Sequence, residues 1–261
     1  LSEFMQTAIR QGMIVNLDVD VRQKISDPAL PKTSDCVVNL AAIHKQPGHE
    51  DSEYFQTNLL GAENVCAWAK EVNAKQIIFT SSIAVYGGGD FEKDEESLPT
   101  PNSPYGISKL VAEKIHLAWQ NGDPQNTLLI VRPGVIFGHG EEGNVSRMVK
   151  AVLHRYFFFS GNKQTIKAGG YVKELTKSIL YMIDYQIQHS QKYLLYNFSM
   201  SPAPTVYEYV RTIQQVSQKI KAVISVPYSL LLFSSYLIST IAKALNIKQP
   251  IDPVRVKKLV T

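Results

Sequence analysis

The chain has 261 residues, enough to bury one large core or a main domain with a smaller partner. Its 44% hydrophobic and 19% charged residues describe a globular protein and exclude disorder as the default. A net charge of +4 is too mild for a dedicated nucleic-acid binder, although the Lys-rich stretch from Lys163 to Lys177 would suit an anionic diphosphate.

In chain order, Ser2 to Gly12 has helical spacing, and Met13 to Asp18 reads as a buried strand ending in an acid. Cys36 to Ala42 is the next predicted strand. Asp51 to Val72 is helical by its apolar positions Phe55, Leu59, Ala62, Val65 and Ala69. Gln76 to Thr80 is a strand, Ser103 to Gln120 a helix and Leu128 to Arg132 a strand. The alternation predicts an α/β fold: a Rossmann-like, doubly wound parallel sheet with helices on both faces and ligand sites at the C-terminal strand ends. The boundaries expected are residues 1–143 for that domain and 144–261 for a smaller, mostly helical substrate-binding part, with residues 171–182 packing back on the sheet. Ala222 to Ala242 runs for 21 residues without a charge. Its Pro227 and several serines favour a buried or interfacial helix over a membrane span. Cys36 and Cys66 stand in apolar patterns, as buried thiols of a reducing cytosol would. No metal-ligand spacing is present, and His44, His49, His116 and His139 are read as structural or surface residues.

The chemistry concentrates at Tyr105 and Lys109. On a helix, i and i+4 share a face, so the Lys109 ammonium can sit beside the Tyr105 phenol and favour the phenolate, giving a base usable near neutral pH. Ser82, at the end of a predicted strand, would complete a site for moving a proton off a sugar or alcohol hydroxyl. The four-residue spacing alone is more often an accidental helical pair, and the flanking residues reverse those odds.

Those flanks are Asp35-Cys36-Val37-Val38-Asn39-Leu40-Ala41-Ala42, Asn58-Leu59-Leu60-Gly61-Ala62-Glu63-Asn64-Val65, Ile77-Ile78-Phe79-Thr80-Ser81-Ser82-Ile83-Ala84-Val85-Tyr86-Gly87, Tyr105-Gly106-Ile107-Ser108-Lys109 and Val131-Arg132-Pro133-Gly134-Val135-Ile136-Phe137-Gly138. In that order they resemble the extended short-chain dehydrogenase/reductase superfamily, and within it the NAD-dependent nucleotide-sugar epimerases and dehydratases. Gly143-Asn144-Val145 and Pro253 to Lys258 extend the resemblance to the bacterial branch that epimerises N-acetylhexosamine on undecaprenyl diphosphate.

The resemblance implies catalytic roles for Tyr105, Lys109 and Ser82. It implies cofactor contacts from Asp18, Leu40, Ala41, Ala42, Asn58, Thr80, Ser81, Tyr105, Lys109, Pro133 and Val135. Ser82, Ala84, Asn144 and Lys167 would meet substrate. An acid at Asp18 would accept from the adenosine ribose and repel a 2′-phosphate, so NAD is expected over NADP. Related dehydratases carry Asp-Glu where this chain has Ile83-Ala84, which argues against loss of water, a reaction that needs the extra acid and base. Val135 stands where an Asn is common and Lys167 where an Arg is common, so recognition of the diphosphate is expected to be rearranged.

The family also places a strand and a GxxGxxG turn ahead of the first helix, and roughly ten more residues between Asp18 and Asp20, a usual connection length; this sequence shows neither. The implied activity is a sugar 4-epimerase on a sugar nucleotide or polyprenyl-diphosphate sugar. The alternatives are a dehydrogenase/reductase on the same site or a non-catalytic NAD-binding regulator. A cytoplasmic homodimer in polysaccharide biosynthesis, touching the inner membrane face and binding no nucleic acid, is the setting the resemblance implies.

Overall fold

A computed structural model describes residues 3–44, 49–89, 91–141 and 143–244. The Pro253 to Lys258 motif and the Ser2 helix start lie outside the described residues. In chain order the elements are α1 (Glu3–Arg10), β1 (Cys36–Asn39), α2 (Asp51–Glu71), β2 (Gln76–Thr80), a 3-10 turn (Ile83–Tyr86), α3 (Pro104–Asn121) and β3 (Thr127–Pro133). Then come β4 (Val135–Phe137), α4 (Asn144–Leu153), β5 (Phe159–Ser160), β6 (Gly169–Tyr171), α5 (Val172–Gln188), β7 (Tyr193–Phe198), α6 (Val206–Val216), β8 (Ser225–Val226) and α7 (Tyr228–Ala244). The chain divides into two compact units, residues 1–132 with 178–197, and residues 133–177 with 198–261.

The first unit holds a four-stranded sheet in the order β1-β2-β3-β7. β1 pairs with β2, and β2 with β3, in parallel, which puts Val37, Ile77 and Leu128 in one row and Asn39, Phe79 and Ile130 in another. Parallel neighbours need crossovers, and α2 and α3 supply them. Ala62, Val65 and Ala69 of α2 and Ala112 and Trp119 of α3 pack with Val37, Ile77, Phe79, Leu128 and Ile130 into one buried core. The alternate residues Ile78, Leu129 and Val131 are buried as well. A strand buried on both faces reads as a continuous apolar run, which is why β2 and β3 are so legible. This is the parallel, helix-flanked, Rossmann-like sheet expected.

One expectation fails here. Met13 to Asp18 is not a strand: residues 14–20 carry no regular structure, and Met13 and Val15 are 65% and 69% exposed. A strand exists only where its backbone groups find partners. Among the described residues nothing pairs with β1 on that side, so Val38 and Leu40 are exposed and Asp18 is solvated. The strand Cys36 to Ala42 also ends early, at Asn39, leaving Leu40 to Ala42 as backbone beyond the strand end.

Asn39 and His116 tie β1 to α3. Asn39 Nδ2 lies 3.1 Å from His116 Nε2, and His116 Nδ1 lies 2.7 Å from the Ala112 carbonyl. Only a neutral ring with its proton on Nδ1 satisfies both contacts. The ring is fully buried and stacks on Phe79 at 4.1 Å, and burial pushes its pKa down from 6.5 to about 4. The unfolded chain therefore takes up this proton first, and the stability contributed by a neutral His116 is lost as pH falls from 6.5 towards 4. About 3 kcal/mol should disappear over that window by the usual conversion of a pKa shift. Urea denaturation at several pH values checks this; His116→Gln, which cannot charge, should show a flatter dependence, and an unchanged slope would contradict the assignment.

In the second unit β4 pairs with β6 and β5 with β8, both in parallel. Its core is Val152 of α4, Phe159 and Val210 of α6, with Met148, Phe157, Ile213 and Val223 against them. The uncharged segment Ala222 to Ala242 becomes β8 and α7 with Pro227 between them. No described helix is long and apolar enough to cross a membrane. Burial pushes the Cys66 thiol up to about 12 and raises Cys36 less, so neither is a reactive thiolate.

Candidate active site

The site in the first unit is built where β2 ends and α3 begins. Thr80 closes β2, and Ser82 caps the 3-10 turn by accepting from the Ala84 amide at 3.2 Å. Ser103 caps α3 by accepting from the Gly106 amide at 3.1 Å, and Pro104 stands at the first helical position, where its missing N–H costs nothing. These two caps fix Ser82 and Tyr105 within one turn of their elements. Gly106 permits the approach: a Cβ there would sit 2.4 Å from the Ala84 carbonyl oxygen, so any larger residue would push α3 off the turn. Ser82 faces the Tyr105 phenol closely enough to favour its ionised form. The Tyr105 ring meets Tyr54 of α2 edge-on at 6.4 Å, which limits its rotation.

Lys109, one turn further along α3, is 3% exposed. Its Nζ donates to the Thr80 carbonyl at 2.7 Å and stands 4.6 Å over the Phe79 ring. Burial lowers its pKa to about 8, with Glu113 pulling the other way. The expected depression of the phenol is not found. Burial raises the Tyr105 pKa and Ser82 opposes this, while the Lys109 ammonium donates to the Thr80 carbonyl. The Lys109 charge is thus present below pH 8 and lost as pH rises through it. Turnover should fall with an alkaline limb near that value. Lys109→Arg, whose charge persists, should move the limb upward even if the rate drops; a limb left in place would assign it to another group.

Glu113 anchors a second buried assembly. Its carboxylate takes both Nε and Nη2 of Arg132, at 2.8 and 2.7 Å. Arg132 Nη1 donates to the Tyr86 hydroxyl at 2.7 Å, and Tyr86 donates to Asn197 Oδ1 at 2.9 Å. Burial disfavours the Arg132 charge, but the Glu113 bonds outweigh it and hold its pKa above the ordinary value. The pair locks the end of β3 to α3 next to the Lys109 turn.

Asn58 is buried in α2 and clamps the loop after β1. It accepts from the Ile43 amide at 2.8 Å and donates to the Ile43 carbonyl at 3.2 Å and to Ser108 Oγ at 2.9 Å. Ser108 in turn donates to the Tyr105 carbonyl at 2.9 Å. Leu40, Ala41 and Ala42 are therefore held from two sides, since Asn39 Oδ1 also accepts from the Ala41 amide at 3.1 Å. Ser81 is buried with its Oγ unpartnered, and Thr80 Oγ1 donates to the Asn39 carbonyl at 3.3 Å. The structure so brings together Ser82, Ala84, Tyr105, Lys109, Thr80, Ser81, Asn58 and the 40–42 backbone. It does not bring Asp18 to a strand end. Pro133, Val135, Asn144 and Lys167 belong to the second unit. There Val135 is 39% exposed in β4, Asn144 Oδ1 accepts from Arg147 at 2.7 Å, and the exposed Lys167 donates its amide to the Pro204 carbonyl. Ser108, Glu113, Arg132, Tyr86 and Tyr54 were not singled out by the sequence reading. The Glu113–Arg132 pair left one signal, two charges inside otherwise buried patterns.

A model of the NAD dependent epimerase/dehydratase family matches residues 3–195, and the chain belongs to that family. It is 32% identical over 272 residues, 98% of this chain and 81% of the other, to an Escherichia coli O157:H7 protein named N-acetyl-α-D-glucosaminyl-diphospho-ditrans,octacis-undecaprenol 4-epimerase. A crystal structure of UDP-galactose 4-epimerase shares the fold at a TM-score of 0.67 and 21% identity, over 79% of this chain and 69% of that one. The UDP-glucuronic acid 4-epimerase from Bacillus cereus, solved with NAD, aligns at 0.64 and 19% identity; this chain covers 63% of its length.

NAD is the cofactor of the family, and the residues at the strand ends fit its nicotinamide half. Lys109 spends one of three donors on Thr80, Ser81 Oγ is an unsatisfied polar atom at the same strand end, and Leu40 and Ala41 are exposed with the Ala41 amide braced by Asn39.

Proposed function

We propose that the protein is an NAD-dependent sugar 4-epimerase whose substrate is an N-acetylhexosamine on a polyprenyl diphosphate. The observation that carries the reading is the Tyr105 phenol facing Ser82, one helical turn from the buried Lys109 cation, in a chain with Ile83-Ala84 and no acid in that turn. Such a site can oxidise and reduce a carbinol but has no added acid to expel water. The near-full-length likeness to a lipid-linked 4-epimerase supports the carrier.

Bound NAD would supply a hydride acceptor for the sugar C4, and inversion follows when the keto sugar turns over so that the hydride comes back to its other face. The protein's own residues handle the proton and the oxygen. Tyr105 takes the proton of the 4-hydroxyl, and Ser82 donates to the oxygen that becomes the carbonyl. Lys109 offers its remaining donors to the cofactor ribose and places a positive charge within one turn of the phenol. On the return, the same phenol gives the proton back, which a raised pKa favours. Asn144 and Lys167 are assigned to the diphosphate. With this reading go a place in polysaccharide assembly at the cytoplasmic face of a membrane, and a homodimer.

Net dehydrogenation or reduction would use the same residues and differs only in whether the keto sugar leaves. A non-catalytic regulator has no need of the Tyr105–Ser82 pair. The carrier is tested by giving protein and NAD either UDP-N-acetylglucosamine or its undecaprenyl-diphosphate counterpart. Conversion of the lipid-linked sugar is expected; rapid conversion of the free nucleotide sugar with none of the lipid-linked one would reject the carrier.

A further inference from the structure

The charge of this chain is segregated between its two units. Residues 133–177 and 198–261 hold 15 Lys and Arg against 5 Asp and Glu, while the remaining residues hold 12 against 18. The mild net charge of +4 thus hides a second unit near +10 and a first near −6. Within the second unit the asymmetry is sharper. From Gly143 to Lys173 and from Tyr209 to Ala244 there are ten Lys and Arg and no carboxylate at all.

Those two stretches meet in the β5–β8 ribbon. Phe159 pairs with Ser225 in parallel and donates its amide to the Ile224 carbonyl at 2.9 Å, so Phe158 and Ile224 are lateral neighbours. Side chains alternate along a strand. Phe157, Phe159 and Val223 pack in the core, which turns Phe158 and Ile224 outward together; they are 39% and 69% exposed. Parallel pairing also brings the two entering segments to the same end of the ribbon. One carries the exposed Arg155 and Tyr156, and the other Lys219, Ile220 and Lys221. The second is pinned by Gln214, which donates to the Lys221 carbonyl at 2.7 Å. Apolar and cationic side chains therefore share one exposed end of a small two-stranded element. Helix α7, directly after β8, adds exposed Leu230 and Phe233.

We infer that this end of the ribbon is a docking surface for the headgroup region of an anionic phospholipid bilayer. Aromatic and aliphatic residues exposed beside Lys and Arg, in stretches without a carboxylate, have the composition of an interfacial membrane contact. The apolar side chains enter the boundary of headgroup and acyl chain while the cations meet anionic lipid. A nucleic acid would use the cations but gain little from exposed Ile220, Ile224 and Leu230. The surface rests for its purpose on the lipid-linked reading, since it would hold the enzyme where a polyprenyl carrier is embedded.

Co-sedimentation of the full chain with phosphatidylcholine vesicles, with and without phosphatidylglycerol, tests it. Binding on the order of 10-fold or more tighter to the anionic vesicles is expected, weakening with salt. The Lys219→Glu/Lys221→Glu pair should abolish that preference. Phe158→Ser/Ile224→Ser should lower binding at every salt concentration, with the thermal transition and the turnover of detergent-solubilised substrate kept. Equal binding to both vesicle types, no binding to either, or full binding by both double variants would overturn the surface. So would tighter binding to duplex DNA that is indifferent to Phe158→Ser/Ile224→Ser. Turnover of the detergent-solubilised lipid-linked sugar without vesicle binding rejects the surface alone; vesicle binding without that turnover upholds the surface and rejects the lipid-linked reaction.

Discussion

Tyr105→Phe should lower turnover by on the order of 100-fold or more, as loss of general base catalysis does, with NAD affinity little changed. The substitution removes one oxygen. The ring keeps its edge contact with Tyr54, and α3 keeps its Ser103 cap and the Ser108 bond to the Tyr105 carbonyl, none of which uses the phenol. What goes is the phenol that faces Ser82 and is assigned the 4-hydroxyl proton. Steady-state kinetics beside NAD titration measures both quantities in one preparation. Near-normal turnover in a folded Tyr105→Phe protein would remove Tyr105 from the mechanism.

The largest effect on stability is expected at Glu113. Glu113→Ala leaves Arg132 buried, at 5% side-chain exposure, without either carboxylate oxygen. Breaking a buried pair from one side typically costs about 3–5 kcal/mol, because the surviving charge stays desolvated. Arg132 would keep only its Tyr86 bond and its place 4.9 Å over the Tyr86 ring. A second consequence separates this from a generic packing defect. Glu113 holds the Lys109 pKa up, so its removal should move the alkaline limb of activity below pH 8 in whatever fraction remains folded. Replacing both partners with apolar residues of similar volume should recover much of the stability. A loss under about 1 kcal/mol in Glu113→Ala would mean that water reaches Arg132 and that the pair is not the lock described.

Much of the first unit could be read from the chain because β2 and β3 are buried on both faces. β2 was expected at Gln76 to Thr80 and is found there, and α2 and α3 begin and end within a residue or so of the expected positions. Met13 to Asp18 has the same apolar composition but no strand neighbour, and composition cannot supply one. The spacing and the strand end singled out Tyr105 and Ser82, which stand at the start of α3 and just past the end of β2. The environment of Lys109 does not, since helical periodicity places its side chain on a face without saying that the Thr80 carbonyl stands there. Sequence distance likewise hid Tyr54, 51 positions before the ring it steadies, and joined Glu113 to Arg132 only through a crossover. The segregation of charge was present in the sequence all along, yet a net value of +4 averaged it away until the two units were separated.

The central claim is that Tyr105 and its neighbours support transient oxidation at C4 with return of the same hydrogen. It is tested most directly with N-acetylglucosamine carrying deuterium at C4 on undecaprenyl diphosphate, in the presence of unlabelled NAD. Mass spectrometry of the released sugars should find the label retained at C4 of both epimers at equilibrium, with no net formation of reduced cofactor. Loss of the label to solvent would contradict the claim, as would a keto sugar accumulating in step with reduced cofactor, which would make the protein a dehydrogenase.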